Sequence, residues 1–254
     1  MNVLCEHEVL RSSRRAIILV LFAISMISCG GPSERIKEIE AVKATPSPTP
    51  GERPISGSFV ITGSAANGME PYTGSLTVAP KGDNYEFRWS TTKGSRIGTG
   101  VQFGNSVAVS FSKIGAGKGC GAVVYKIASD GSLAGKSAYW GYDLSWTETA
   151  IRTEGKSFAG KYDVSGIYGV PYKGTLAIAK DGSGYDFDWK LKNVEEIADN
   201  YVGFGIWKGN VAAASFGGRQ CSFALYDITS NGSLDGDWGG QAAVTFGKES
   251  AKRQ

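Results

Sequence analysis

The sequence predicts an all-β protein built as two tandem antiparallel meander barrels of about eight short strands each, with a pair of β-sandwiches as the alternative architecture. Three observations predict it. Glycine is used heavily (36 of 254 residues) beside 6 Trp, 11 Tyr and 11 Phe, a composition that suits short strands and tight turns. Aromatic residues recur at every second position, as in Tyr85-Glu-Phe87-Arg-Trp89, which puts three rings on one face of a strand. Turn-forming clusters recur at intervals of roughly 8–12 residues, the spacing of barrels and sandwiches. Closure into a barrel is favoured because it leaves no exposed edge strand.

The N-terminal segment, residues 1–28, reads as an export signal. Arg11, Arg14 and Arg15 precede the apolar run Ala16–Ile27, which at 12 residues is too short to cross a hydrocarbon layer of ~30 Å as a helix. The run ends in Met26-Ile27-Ser28-Cys29-Gly30-Gly31. This resembles the lipobox of bacterial lipoproteins. The resemblance implies cleavage before Cys29, acylation (palmitate among the chains) of Cys29 as the new N-terminus, and residence in the cell envelope. Gly30 after the Cys implies sorting to the outer membrane if the envelope is Gram-negative. Two or three acyl chains give the stable membrane attachment that one does not.

Residues 29–54 form a tether. Thr45-Pro-Ser-Pro-Thr-Pro50 cannot become helix, because alternating prolines remove donors and hold the chain extended.

The remainder is one unit written twice, repeat 1 over 55–149 and repeat 2 over 157–248, with a junction near Glu148–Lys156. Pro71-Tyr72-Thr-Gly74-Ser-Leu76 matches Pro171-Tyr172-Lys-Gly174-Thr-Leu176, and Tyr85/Phe87/Trp89 match Tyr185/Phe187/Trp189. Gly98-Thr-Gly100 matches Gly203-Phe-Gly205. Cys120 through Ile127 to Gly131-Ser-Leu133 matches Cys221 through Ile228 to Gly232-Ser-Leu234. So many aligned landmarks establish an internal duplication. Each repeat is expected to close on itself. Ser129-Asp-Gly-Ser132 and Ser230-Asn-Gly-Ser233 read as type I′ hairpin turns.

The Gly-x-aromatic opening, the aromatic-x-aromatic-x-Trp strand and the Cys-to-Leu-x-Gly closing hairpin together resemble small secreted bacterial β domains, some of them labelled fibronectin-binding. The resemblance spans residues 55–247 and implies a fold more than a ligand.

Composition excludes several activities for the mature chain. The only histidine, His7, lies in the signal, so His-based triads, proton shuttles and common zinc sites are excluded. After removal of the signal, 24 basic residues face 22 acidic ones, which provides no basic field for nucleic acid. No cofactor, metal or catalytic residue is expected. Cys120 and Cys221 are equivalent positions; they either bridge in an oxidising compartment or stay as two buried thiols. Tyr139, Trp140, Tyr142, Trp207 and Trp238 stand near turns or strand ends as candidate ligand-contact aromatics, or as packing over a barrel opening. Asp186, Asp188, Glu195, Glu196 and Asp199 read as a solvated acidic face rather than as a glycosidase pair or calcium loop.

The expected role is therefore a non-enzymatic, lipid-anchored envelope protein. It would display two β domains for binding or structural interaction with a protein, glycan or small molecule. A small-ligand carrier of calycin-like type is the alternative, and a carboxylate hydrolase a distant third. An apolar cavity of a few hundred Å³ in either unit favours the carrier; filled interiors with a flat aromatic surface favour a macromolecular partner.

Overall fold

Sixteen strands stand among the described residues, and their repeat-by-repeat order reproduces the duplication. Repeat 1 supplies β1 (Gly57–Ser64), β2 (Tyr72–Lys81), β3 (Asn84–Thr91), β4 (Gly94–Phe103), β5 (Ser106–Lys113), β6 (Gly121–Ile127), β7 (Leu133–Tyr139) and β8 (Trp146–Glu154). Repeat 2 supplies β9 (Gly160–Tyr168), β10 (Val170–Asp181), β11 (Gly184–Asn193), β12 (Ala198–Lys208), β13 (Val211–Phe216), β14 (Ser222–Ile228), β15 (Leu234–Gly239) and β16 (Gly247–Arg253). The computed structural model describes residues 52–64, 66–68, 70–113, 119–218, 220–241 and 243–254. The signal, Cys29 and the tether up to residue 51 lie outside the described residues.

The strands form two closed antiparallel barrels of eight, as the sequence predicts, and both belong to one compact unit. Their make-up corrects the expectation that each repeat closes on itself. Barrel 1 runs β1-β16-β15-β14-β5-β4-β3-β2, and barrel 2 runs β10-β11-β12-β13-β6-β7-β8-β9. Each therefore takes five strands from one repeat and three from the other. The exchange happens where β5 passes into β6 and β13 into β14: β5 pairs with β14, and β13 with β6.

The physical reason lies in equivalence. β5 and β13 are copies of one strand, as are β6 and β14, so exchanged and unexchanged ladders offer nearly the same hydrogen bonds and side-chain pairs. The crossing itself then decides. There the two connections touch backbone to backbone: Gly217 takes a φ of +100°, and a Cβ on it would lie 1.9 Å from the Gly119 carbonyl oxygen, so only glycine fits. Beside this contact Cys120 and Cys221 form a disulfide with Cα atoms 5.8 Å apart, so of the two open readings the structure shows the bridge. It closes a loop of 101 residues, worth about 4–5 kcal/mol on the loop-entropy account.

The exchanged strands are buried on both faces. In β6, Val123 and Tyr125 enter barrel 2 while Ala122 and Val124 pack between the barrels. In β14, Ala224 and Tyr226 enter barrel 1 while Phe223 and Leu225 face the interface. Phe204, Phe223 and Phe246 form an aromatic contact there, with centroids 5.2–6.4 Å apart. The runs Ala-Val-Val-Tyr and Phe-Ala-Leu-Tyr, apolar without alternation, are the sequence form of this double burial.

Two local expectations change. The supposed junction near Glu148–Lys156 is mostly strand β8, and the connection between repeats is the shorter stretch from Gly155 to Ala159. The hairpins at Asp130-Gly131 and Asn231-Gly232 are not type I′, since only Gly131 and Gly232 have positive φ. Instead Asp130 and Asn231 accept hydrogen bonds from the amides of Ser132 and Ser233, at 2.9 and 3.1 Å, and the glycine alone takes the left-handed position.

Candidate functional site: an aromatic cup over a buried glutamate

Each barrel holds one carboxylate inside its core. In barrel 1, Glu249 of β16 accepts hydrogen bonds from Tyr72 Oη (2.6 Å), Tyr226 Oη (2.6 Å) and Trp89 Nε1 (3.0 Å). In barrel 2, Glu148 of β8 accepts from Tyr125 Oη, Tyr172 Oη (3.0 Å) and Trp189 Nε1 (3.4 Å), and Trp189 also donates to Tyr125 Oη at 3.2 Å. These are the same four positions of the repeat, but each set is assembled across the exchange. Tyr72 and Trp89 come from repeat 1 and meet Tyr226 and Glu249 of repeat 2.

A carboxylate with no cationic partner survives burial only if its lone pairs are met. Here three neutral donors meet them. Removal from water pushes the Glu148 carboxyl above its ordinary value, against the pull of Tyr125, Tyr172 and Trp189, whose hydrogen bonds favour the ionised form. Burial, followed by the nearby negative charge, raises the Tyr125 and Tyr172 phenols.

The two barrels then differ above this shared floor. In barrel 2 a cavity of about 410 Å³ opens over Glu148. Its deep walls are Tyr125, Tyr172, Trp189 and Phe216, and its upper walls are Tyr139, Tyr142, Trp146, Tyr168 and Tyr201, with Asp199 among the lining groups. In barrel 1 the corresponding space is filled by Trp238, which packs edge-on against Tyr72 and Phe111, with centroids 6.1 Å away in each case.

One cross-strand pair accounts for much of the difference. Between β7 and β8, Ser137 stands opposite Trp146; between β15 and β16, Trp238 stands opposite Gly247. The large residue has changed strands. A Cβ on Gly247 would lie 2.5 Å from Trp238 Nε1, so Trp238 needs glycine beside it. Ser137 leaves that volume empty, and Trp146 becomes wall instead of plug. Other positions follow suit: Tyr139 and Tyr142 of the cup correspond to Gly240 and Ala243 in barrel 1. The second repeat also carries five additional residues between Trp189 and Gly203 compared with Trp89 and Gly98. They lengthen the β11–β12 hairpin, whose β12 arm carries Asp199 and Tyr201 at the cup.

The cup's lip is held by barrel 1. The 140–145 loop, which carries Tyr142, receives Asn84 Nδ2 on the carbonyls of Leu144 (2.8 Å) and Tyr142 (3.3 Å), and the Asp83 amide on the Asp143 carbonyl (2.7 Å). Gly82, at φ +60°, makes this approach possible, since a Cβ there would meet the Asp143 oxygen at 2.1 Å. The opposite end of barrel 2 is closed by Phe158, which is buried and stacks on Trp207 at 5.4 Å.

Of the aromatics proposed from sequence, Tyr139 and Tyr142 line the cup. The other three stand elsewhere in the fold. Trp140 points away from it, 5.9 Å from the Lys81 ammonium of barrel 1. Trp207 covers the closed end, its Nε1 donating to the Gly209 carbonyl at 2.8 Å. Trp238 is the plug of barrel 1. These residues were selected for standing near turns, and a turn end does not tell which end of the barrel is open. Glu148 and Glu249 went unrecognised because an acidic residue at an inward position looks like a solvated one. The repeated Glu148-Thr-Ala150-x-Arg152 and Glu249-Ser-Ala251-x-Arg253 is the signal that identifies them. The acidic residues of repeat 2 do not gather into a catalytic pair: Asp188 faces Lys190 at 3.8 Å, Glu196 pairs with Lys192 at 2.9 Å, and only Asp199 reaches the cup.

Comparison with known proteins identifies no relative: no family model, curated protein or solved structure matches the chain. The reading of the site therefore rests on its geometry.

Proposed function

We propose that this chain is a non-enzymatic binding protein that takes a small molecule into barrel 2, with barrel 1 as the plugged twin that braces the cup. The observation that carries this reading is the 410 Å³ cavity over Glu148, set against the filled interior of barrel 1. The volume falls in the range of small-ligand sites, and the lining, mostly aromatic with a few polar groups, has the usual composition of one. Of the two roles weighed from sequence, a cavity favours the carrier over the display of surfaces to a macromolecule. Glu148 spends both oxygens on fixed donors, which suits recognition better than proton transfer.

The lip is apolar as well. Leu144, Ile167, Val170, Val194 and Ile197 are all exposed, on the loop and hairpins that end at the mouth. Such a rim suits a ligand with an apolar part. With the lipobox-like N-terminus, the reading becomes a lipid-tethered envelope protein that captures an amphiphile near the membrane.

The test is the double change Ser137→Trp/Trp146→Gly, which copies both the plug of barrel 1 and the glycine it needs into barrel 2. The neutral dye N-phenyl-1-naphthylamine should brighten on binding the wild-type protein, and the double change should weaken that binding at least tenfold while the protein stays folded. Unchanged dye binding by the folded double variant contradicts the proposal.

A further inference from the structure

We infer that the cup selects an organic cation, a quaternary or other alkylated ammonium group, from the juxtaposition of an orthogonal aromatic corner with carboxylates and, among the described lining residues, no basic one. This rests on the cup being a ligand site and specifies what it takes.

The rings at the mouth are arranged as walls. Tyr142, Trp146 and Tyr168 lie at 69°, 65° and 85° to one another, with centroids 4.1–6.0 Å apart. Tyr139 adds a fourth ring, 62° from Tyr142. Rings set at right angles enclose a corner from several sides. An alkylated ammonium, which has no directional hydrogen bonds to satisfy, gains from each electron-rich face it meets.

Charge points the same way. Glu148 lies at the floor and Asp199 in the wall, and among the described residues lining the cup there is no Lys or Arg. The comparison with barrel 1 sharpens this. Where Trp89 of barrel 1 stands opposite Arg96, Trp189 of the cup stands opposite Tyr201. The same inward position has a cation in the plugged barrel and a ring in the open one. An anionic ligand would find a carboxylate and no counter-charge. A neutral apolar ligand would leave the Glu148 charge without a partner beyond its three donors. A cation answers both, because its attraction to Glu148 is strengthened once the bound ligand displaces water from the cup.

The discriminating pair is choline and 3,3-dimethylbutan-1-ol, which share a shape and differ in charge. Titrated calorimetrically into the full-length oxidised protein, choline should bind at least about tenfold more tightly than the alcohol. Glu148→Gln should remove most of that preference. Should Glu148→Gln fail to fold, Trp146→Leu, at the half-exposed lip, should reduce the preference severalfold instead. Equal or tighter binding of the alcohol overturns the cation assignment, as does a preference that survives Trp146→Leu and Glu148→Gln alike. If the alcohol wins while the dye still binds, the cup stands as a site for neutral ligands. If dye, alcohol and choline all fail to bind, the binding reading falls with the inference.

Discussion

Glu249→Leu is expected to destabilise the protein by about 3–5 kcal/mol, whereas Glu249→Gln costs under about 1.5 kcal/mol. The leucine removes the one acceptor shared by Tyr72, Tyr226 and Trp89 and strands three buried donors. Glutamine keeps an acceptor at that place. The same change in barrel 2, Glu148→Leu, should cost less, although its donors are equivalent. Above Glu148 the cup is open, and water can reach the freed hydroxyls; above Glu249 sits Trp238. Urea denaturation of the three single variants measures these differences. Equal losses for Glu249→Leu and Glu249→Gln would show that the buried network contributes shape and not hydrogen bonding.

The second large effect concerns the exchange of strands. A protease site placed at Gly155–Ser157, an exposed stretch between the repeats, should allow the chain to be cut while it stays folded. After cutting and reduction of Cys120–Cys221, the two fragments should still elute together under native conditions. Each barrel is built from both fragments, joined by the full ladders β5·β14 and β1·β16 in one and β6·β13 and β8·β9 in the other. Denaturant should then release them. Had each repeat closed its own barrel, reduction would leave only the contact between barrel surfaces. Separation of the fragments in native buffer would contradict the exchanged arrangement.

The sequence made the strands and their closure legible because barrel interiors impose a strict alternation, and the duplication displayed that alternation twice. Tyr85, Phe87 and Trp89 could be placed inward from their spacing alone. The exchange was beyond reach for an equally physical reason: β5 and β13 present the same faces, so no pattern within one repeat states which partner it takes. Only the unalternating apolar runs of β6 and β14 hint that these strands touch a second barrel. The cup was legible in part. Tyr139 and Tyr142 emerged as exposed aromatics, yet the residue that creates the space is a serine, and Ser137 becomes informative only opposite Trp146 and beside the Trp238–Gly247 pair. The floor escaped because strand alternation, read by hydrophobicity, treats an inward glutamate as a break in the pattern.

The plug and the cup also suggest how one duplicated module serves two ends. A barrel packed throughout, with Trp238 in place, is the more rigid neighbour, and its Asp83–Asn84 hairpin holds the loop that bears Tyr142. Open space over a buried charge costs stability, and the twin that shares its strands and its disulfide offsets that cost.

The most direct test of where binding occurs uses the chain's own six tryptophans. With indole nitrogens labelled, each gives one N–H resonance: Trp146 and Trp189 in the cup, Trp89 and Trp238 in barrel 1, Trp140 and Trp207 outside the cup and the plugged interior. Addition of a bound ligand should shift Trp146 and Trp189 most and leave Trp89 and Trp238 in place. Shifts confined to Trp89 and Trp238, or to Trp140 and Trp207, would contradict the assignment of the cup.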